Sequence, residues 1–235
     1  MQITHAQKSP RLKKLRLFGH IFCPDLIKEL MQRRIPETLA AKYLQQIYVQ
    51  EMQHPNRKLN GFAFANDLGG YEVYVPDNMQ PLIGSVFHHA PATFRVRSSK
   101  KLFVFENGWD FLSWMEMQNT PEPEHNIVVL NSLSFCAPIT AQIIAAKEQI
   151  NVVLLFTANN ETGQKAMQDM GERLDGAGFT VRTMESLYHG YKDLSDYWAR
   201  DPDARKITER KEAFIKYYTG DSAWSTVMNK NNKPK

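Results

Sequence analysis

From Leu102 onward, the chain alternates short apolar runs with stretches of helical periodicity. Strands are predicted at about 102–106, 127–131, 152–157 and 179–183, separated by helices at about 108–118, 137–148 and 162–176. Runs such as IVVL and VVLLF are continuously apolar, which is typical of strands covered on both faces. Strand and helix in this rhythm predict an α/β fold with a central parallel sheet flanked by helices.

The part before this segment has a different pattern, which predicts a small α+β lobe. Apolar residues at helical spacing predict a helical hairpin over about 24–49. Two alternating segments around 67–70 predict a β-hairpin, because the two glycines there permit a tight turn. TFRVRSSKKLFVFE predicts a further strand pair joined by a basic turn. We expect an N-terminal lobe at 1–94, an α/β domain at 95–200, and a charged helix with a disordered tail at 201–235.

Composition is ordinary for a globular protein and excludes a membrane-spanning one. The 235 residues are 43% hydrophobic and 23% charged. No run of about 18 apolar residues occurs, and the N-terminus lacks the apolar core of a secretory signal. We therefore expect a cytoplasmic protein with no membrane partner, in which Cys23 and Cys136 are thiols rather than a disulfide. The net charge of +4 permits a nucleic-acid partner without requiring one.

Two basic segments are candidates for phosphate contact. Residues 8–17 carry lysines and arginines among leucines, which indicates either a phosphate-binding arm or a solvated chain start. Four more cations lie directly before the strand at 102–106: Arg95, Arg97, Lys100 and Lys101. On one face they would form a nucleic-acid-binding stripe, although charges at a hairpin turn are commonly only solvated.

Polar side chains follow the ends of several predicted strands, which is where open α/β sheets bind ligands. They are Glu106 and Asp110 after the first strand, Asn159, Asn160 and Glu161 after the third, and Lys192 and Asp193 after the fourth. Converging acids suit divalent-metal phosphoryl chemistry, because Mg²⁺ takes hard oxygen ligands and bridges phosphates. Each acid also has a structural explanation, as a helix cap or a first-turn acid favoured by the helix dipole.

Three segments resemble the motifs of Toprim domains. ENGWDFLS at 106–113 resembles the first motif, a strand-ending Glu followed four residues later by an Asp. FTANNETG at 156–163 is similar to the second, a DxD followed by Gly, and YKDLSDY at 191–197 is similar to a KDxND segment of primase-like Toprim proteins from mobile elements in Bacteroides-type bacteria. RRIPETLA, GFAFANDLGGYEV and LNSLS resemble the same group, so the resemblance covers about 25–200. It implies a Toprim-like domain at 95–200 and a role in DNA replication.

The second motif departs from the family pattern. Aligning Gly163 with the motif glycine places Ala158 and Asn160 where the family has two aspartates. Ala supplies no ligand and Asn only a neutral one, so the electrostatic attraction for a metal falls. The two cysteines also cannot form the Cys₄ zinc ribbon that precedes many primase cores. The resemblance thus implies Glu106 and Asp110 as catalytic positions, with catalysis impaired and Mg²⁺ absent or weakly bound.

Three functional hypotheses follow. In the first, the chain is a catalytically impaired, primase-like Toprim protein that binds single-stranded DNA or RNA, or a replication or mobile-element protein. In the second, Glu106, Glu161 and Asp193 form a rearranged acid set that holds a metal weakly in an active primase- or nuclease-type phosphoryl transferase. In the third, the Toprim fold is a scaffold for protein interaction.

The positions of the cations and acids distinguish these hypotheses. A nucleic-acid binder should present Arg95, Arg97 and Lys101 beside the acidic cleft, and Lys192 is a further candidate for phosphate contact. The rearranged acid set requires its three carboxylates to lie within about 5 Å of a common point, so that they can share one metal.

Overall fold

The computed structural model describes residues 12–77 and 80–204. Within them, two five-stranded sheets are each accompanied by helices. The first sheet is antiparallel and has the order β1-β2-β3-β4-β5. Its strands are β1 (Leu12–Phe18), β2 (Leu44–Glu51), β3 (Lys58–Ala65), β4 (Tyr71–Val75) and β5 (Leu82–Val86). Helices α1 (Pro24–Gln32) and α2 (Glu37–Tyr43) connect β1 to β2.

One prediction for this lobe needs correction, one is confirmed, and phosphate contact by the basic segment stays a prediction. The helix predicted to continue to about 49 ends at Tyr43, and the chain enters β2 because Ile47 and Val49 alternate into a buried face and pair with strands on both sides. The basic arm predicted at 8–17 is strand β1 from Leu12 onward, and its first residues lie outside the described part. The β-hairpin around 67–70 is confirmed as β3 and β4.

The second sheet has the order β10-β9-β7-β8-β6. Its strands are β6 (Ala92–Phe94), β7 (Lys101–Phe105), β8 (Asn126–Val129), β9 (Val152–Phe156) and β10 (Thr180–Thr183). The last four are parallel, which confirms the predicted central parallel sheet and the α/β fold class. The helices between them are α3 (Gly108–Met117), α4 (Cys136–Ala145) and α5 (Glu161–Gly176), and α6 (Leu194–Arg200) follows β10.

The predicted pairing of 92–94 with 101–105 is wrong. β6 pairs antiparallel with β8, because both edges of β7 are occupied by β8 and β9. The chain crosses to β7 through a loop in which the Val96 amide donates to Oδ1 of Asn126, at 2.9 Å. β6 thus belongs to the second sheet although it precedes the proposed boundary at 94–95. That boundary stays a prediction, and the charged helix and tail predicted from 201 lie mostly outside the described residues.

A shared hydrophobic core joins the lobe to the α/β part. Leu30 of α1, Phe62 of β3, Phe105 of β7, Phe111 of α3 and Trp198 of α6 are all buried in one cluster. A second cluster lies between the parallel sheet and helices α4 and α5, and a third lies within the first sheet. The shared core fixes the lobe against the carboxyl ends of the parallel strands. None of the helices between residues 12 and 204 has the length and apolar character that a membrane span needs.

Candidate functional site

A cleft of about 340 Å³ lies between the lobe and the carboxyl ends of β7 and β9. Lobe residues such as Phe62 and Tyr74 line one side. The other side is formed by the turns after β7 and β9 and by the start of α6, and it includes Glu106, Ala158 and Asp193. The parallel sheet therefore brings the first and second motif segments to one edge, as their positions after β7 and β9 predict.

Glu106 is a half-buried carboxylate at the end of β7. Its Oε2 atom accepts a hydrogen bond from the Ala158 amide at 2.9 Å, which ties the β7 end to the β9 end. Burial raises the pKa of Glu106, the Ala158 N–H opposes that rise, and the nearby Asp193 carboxylate adds to it. The positive charge of Lys192 lowers the pKa by less. The cleft therefore disfavours the ionised form of this acid.

Asp110 lies in the first turn of α3 and is only 1% exposed. Its Oδ1 accepts from the Ser195 amide at 2.9 Å, and its Oδ2 accepts from Nδ2 of Asn107 at 2.8 Å. Burial raises its pKa well above the ordinary value, with a further rise from Asp193. Both carboxyl oxygens are thus engaged inside the protein. Asp110 joins the start of α3 to the start of α6 and does not line the cleft.

The junction between β9 and α5 carries no carboxylate at the two positions aligned with the aspartates. Ala158 is buried, and the Oδ1 atom of Asn160 caps α5 by accepting from the Gly163 amide at 2.9 Å. A Cβ atom at Gly163 would lie 2.5 Å from the Ala158 carbonyl oxygen, so only glycine fits this close approach. The alignment of Gly163 with the motif glycine is compatible with this close approach and stays a prediction.

Asn159 fastens the segment that carries Lys192 to the end of β9. Its Nδ2 donates to the carbonyls of Tyr188 and Tyr191, each at 3.0 Å, and its amide donates to the Lys192 carbonyl at 2.7 Å. The Tyr188 hydroxyl accepts from the amide of Thr157 and donates to its carbonyl. These bonds position the third motif segment beside the first two.

Of the remaining predicted site residues, two lie at the cleft and one does not. Asp193 is nearly buried and caps α6 through the Asp196 amide, which lies 2.8 Å from its Oδ1. The ammonium of Lys192 is exposed and lies 3.9 Å from Oδ2 of Asp193. Glu161 is exposed as the first residue of α5 and is not among the residues that line the cleft.

The donor set at this edge does not fit a typical Mg²⁺ site. Glu106 and Asp193 are the carboxylates at the strand ends of the cleft, Ala158 offers no oxygen from its side chain, and the oxygen of Asn160 is used by the helix cap. Glu72 of β4 lines the lobe side, where it accepts from Nδ2 of Asn66 and lies 2.8 Å from Nδ1 of His89. In the described residues 12–77 and 80–204, no group of three or more His, Cys, Asp and Glu side chains is placed to hold a metal. Hard cations depend on such convergent oxygens.

The basic stripe lies at the opposite end of the sheet from the cleft, which corrects the expected placement. Lys101 begins β7 and Glu106 follows its end, so about 16 Å of strand separates them. Arg95 follows β6, which runs antiparallel and therefore ends at the same amino edge. Arg95, Arg97 and Lys100 are exposed there. The basic turn is adjacent to β7 in sequence, but parallel topology separates the two ends of a strand in space.

Arg33 is a cleft residue that was not predicted as part of the site, although it begins the RRIPETLA segment. Its guanidinium lies 4.2 Å from the Trp109 ring centroid, and it donates to the Tyr74 hydroxyl at 2.8 Å and to Oγ of Ser195 at 3.2 Å. Glu29 neutralises it at 2.8 Å. Arg33 thus links α1, β4, α3 and α6 around the cleft. Tandem arginines at the end of α1 were the available signal, but sequence spacing does not show what they contact.

Comparisons with known proteins agree with this architecture. A Toprim-like family model matches residues 103–198, and a model described as a domain of unknown function, DUF8464, matches residues 18–76. A search of curated proteins finds no match.

Two bacteriophage T7 structures are similar in fold. The primase fragment of the T7 primase-helicase protein is 18% identical, with a TM-score of 0.56 over 84% of this chain and 81% of that chain. The second is a structure of the T7 lagging-strand DNA polymerase interacting with primase domains bound to an RNA/DNA hybrid and dTTP. It is 19% identical, with a TM-score of 0.54 over 77% of this chain and 88% of the matched chain. The chain is Toprim-like and primase-like in fold, as its motifs predict.

Proposed function

We propose that this chain is a primase-like Toprim protein that binds nucleic acid or a replication partner and has lost most of the metal-dependent phosphoryl transfer of its fold. The observation that carries the proposal is the β9–α5 junction. Ala158 supplies no ligand there, and the oxygen of Asn160 is occupied by the Gly163 amide. Two anionic ligands are therefore missing from the edge where a metal would bridge phosphates.

The remaining acids support an impaired site. Burial raises the pKa of Glu106, and the neighbouring Asp193 carboxylate adds to that rise. Asp110 is buried and saturated with hydrogen bonds. A rearranged acid set would need Glu161 to join Glu106 and Asp193, and Glu161 does not line the cleft. We propose that Mg²⁺ binds weakly or not at all.

Nucleic acid is the partner that the exposed cations favour. Arg95, Arg97, Lys100 and Lys101 lie together at the amino edge of the parallel sheet, and Lys192 adds an exposed ammonium at the cleft. In one of the similar structures, primase domains interact with a DNA polymerase while bound to an RNA/DNA hybrid. We propose by analogy that a replication protein, or a mobile-element protein, is a second partner of this chain.

A magnesium or manganese titration tests the loss of the metal site. We expect millimolar Mg²⁺ to give no heat by calorimetry and no shift in melting temperature. Restoring both acids with Ala158→Asp and Asn160→Asp should raise the affinity about tenfold or more, because each adds a negative charge within a few ångströms of the site.

Gln142→Asp with Gln149→Asp is the matched control, since both residues are exposed and the same charge is added away from the cleft. Saturable micromolar binding by the unmodified protein would contradict the proposal and favour the active enzyme with a rearranged acid set. Equal affinities of the restored and control variants would mean that positions 158 and 160 do not face a metal site.

A salt titration tests the basic stripe. Neutralising Arg95, Arg97, Lys100 and Lys101 to Gln should weaken binding to a single-stranded oligonucleotide and flatten the log–log salt dependence by about two to three units, since each phosphate contact contributes about 0.7 on single strands. Lys192→Gln alone should change the slope by less than one unit. Absence of binding at low salt, or an unchanged slope, would favour the protein-interaction scaffold.

A further inference from the structure

A pocket of about 420 Å³ lies at the amino edge of the parallel sheet, at the opposite end of the strands from the cleft. The segments that precede β7, β8 and β9 form its walls. We call it the amino-edge pocket, and its polar lining includes Ser98, Lys100, Lys101, Glu124, His125 and Asn151. These side chains comprise two ammonium groups, an imidazole, a hydroxyl, an amide and a single carboxylate. The pocket is therefore rich in groups that bind anionic oxygens.

The loop that carries the two lysines is fixed by hydrogen bonds. Nδ2 of Asn126 donates to the carbonyls of Ser99 and Lys101 at 2.8 and 3.1 Å, and its Oδ1 accepts from the Val96 amide. The Ser99 amide donates to the Val96 carbonyl at 2.9 Å, which closes a turn over residues 96–99. Oγ of Ser99 accepts from the Lys101 amide at 3.2 Å. A loop that already has a defined shape loses less conformational entropy when a ligand binds.

Lys101 and His125 lie on the same side of the sheet. Side chains alternate along β7, so Lys101 shares a face with Phe103. The ring centroids of His125 and Phe103 are 5.1 Å apart, and Nδ1 of His125 lies 2.9 Å from Oγ of Ser99. Burial lowers the pKa of His125, the Lys101 ammonium lowers it further, and Glu124 opposes this change. An anion bound beside Lys101 would raise the pKa of His125 again.

The donors around the pocket have no partners in the part of the chain that the structure describes. Among residues 12–77 and 80–204, the ion pairs leave out the four cations of this edge, which are Arg95, Arg97, Lys100 and Lys101. The hydroxyl of Ser98 and the side-chain amide of Asn151 are exposed and make no hydrogen bond within the same ranges. These charges and donors therefore stay available to a ligand.

The sheet order places Arg95 beside the pocket. β8 lies between β7 and β6, and Arg95 follows β6 at the same amino edge. Two strand spacings put Arg95 about 10 Å from the start of β7. Arg97 lies in the loop between them. A strand of phosphates with its end in the pocket would therefore meet further cations along this edge.

We propose that the amino-edge pocket binds the terminal phosphate of a nucleic-acid strand, with Arg95 and Arg97 contacting the phosphates that follow. The inference rests on the nucleic-acid binding proposed above and names the group that this surface recognises. A phosphate monoester carries nearly two negative charges and three acceptor oxygens, whereas an internal phosphodiester carries one charge and two free oxygens. Two lysines and several neutral donors match the monoester more closely. A mononucleotide would leave the two arginines without phosphates.

The test compares oligothymidylates of about 15 nucleotides that differ only at their ends. One strand has a 5′-phosphate, one has a 3′-phosphate, and one has hydroxyls at both ends. Each competes at low salt with an internally labelled strand, and fluorescence anisotropy measures the bound fraction. We expect at least one of the phosphate-ended strands to bind about tenfold more tightly than the hydroxyl-ended strand, because hydrogen bonds to charged groups are the strong ones.

Two pairs of substitutions separate the pocket from the neighbouring arginines. Ser98→Ala with Lys100→Gln, both exposed, should reduce the preference for a phosphate end to about twofold or less. Arg95→Gln with Arg97→Gln should weaken the binding of all three strands alike and lower the magnitude of the salt slope by about 1.4. Lys165→Gln is the control, since it removes an exposed ammonium elsewhere and should leave the preference unchanged.

Two further measurements locate the terminal phosphate. Glu124→Gln removes the exposed carboxylate of the pocket and should raise the preference for a phosphate end about twofold or more. Nuclear magnetic resonance of the His125 ring protons should show a rise in its pKa with the phosphate-ended strand and not with the hydroxyl-ended strand.

Equal affinities for phosphate-ended and hydroxyl-ended strands would overturn the inference while the proposed function stands. So would a preference that survives Ser98→Ala with Lys100→Gln, or equal competition by a phosphoserine peptide of the same net charge. Failure of all three strands to bind at low salt would overturn both the inference and the proposed nucleic-acid binding. Circular dichroism and melting temperature identify any variant that loses its fold. The end preference of the unmodified protein and the response to Glu124→Gln then decide the outcome.

Discussion

The two strand-to-helix junctions at the cleft have the same construction and different chemistry. After β7, Asn107 caps α3 by accepting from the amides of Trp109 and Asp110. After β9, Asn160 caps α5 by accepting from the Gly163 amide. The first junction keeps a carboxylate in the cleft, Glu106, whereas the second has none at the aligned positions. The two junctions therefore share a capped helix start but differ in the charge that they bring to the cleft.

The difference has a simple physical reason. Helix capping needs only an oxygen acceptor, and Asn caps about as well as Asp. Metal binding to phosphates needs the negative charge as well. Asn160 therefore caps α5 as an Asp would, but it brings no negative charge to this edge of the cleft. Ala158 is tolerated because its structural contribution is made by its backbone, whose amide donates to Glu106.

The largest expected effect is at Gly163. Gly163→Ala places a Cβ 2.5 Å from the Ala158 carbonyl oxygen, and the backbone must shift to accept it. We expect a loss of about 1–3 kcal/mol in the free energy of unfolding, measured by urea denaturation.

Gly176→Ala in the same helix is the matched control, because nothing lies within 4 Å of its Cβ position. It should change stability by no more than about 0.5 kcal/mol, because Gly176 is the last residue of α5 and the full preference for alanine applies to helix interiors. If both variants behaved alike, the close approach between α5 and the β9 end would be absent, and the alignment of Gly163 with the motif glycine would lose its structural support.

A smaller effect on the free energy of unfolding is expected when the helix caps Asn107 and Asn160 are compared. Asn160→Ala should cost about 1 kcal/mol in the free energy of unfolding. Asn107→Ala should cost more, because this side chain accepts two amides and also donates to the buried Asp110. Asn160→Asp should stay within about 0.5 kcal/mol of the unmodified protein, since it keeps the cap. A large loss for Asn160→Asp would show that the amide of Asn160 has a further structural role.

Strand–helix alternation predicted the parallel sheet and the motif positions, because buried parallel strands have a strong local signature. Which strands pair with each other was less predictable. The β6–β8 ladder joins residues 33 to 37 positions apart in sequence, from Phe94↔Ile127 to Ala92↔Val129. Arg95 and Lys101 were misplaced relative to the cleft for the same reason. The helix predicted through Val49 was wrong because the apolar spacing of this segment suits both the helical and the strand period. Pairing with β1 and β3 decides in favour of the strand.

The candidate site was predictable where a strand end positions a residue. Glu106 and Ala158 fall at the cleft for that reason. Burial of Asp110 and the contacts of Arg33 depend on α6 and the lobe, which are far away in sequence. Such contacts leave no periodic signal. The sequence therefore did not indicate the burial of Asp110 or the contacts of Arg33.

The smallest effect concerns the acid that the first junction keeps. Burial and Asp193 raise the pKa of Glu106 above its ordinary value of 4.5, so its contribution to stability is present below that value and is lost as pH rises through the folded-state pKa. Glu106→Gln removes the charge and keeps an oxygen for the Ala158 amide. The variant should therefore gain stability relative to the unmodified protein as pH rises through this window.

Urea denaturation across pH 4 to 8, about the range where such acids titrate, measures the difference in the free energy of unfolding. Glu161→Gln is the control outside the cleft. A difference that falls with pH would mean that Glu106 is stabilised as a carboxylate, which would place a cation at this edge and weaken the contrast between the two junctions.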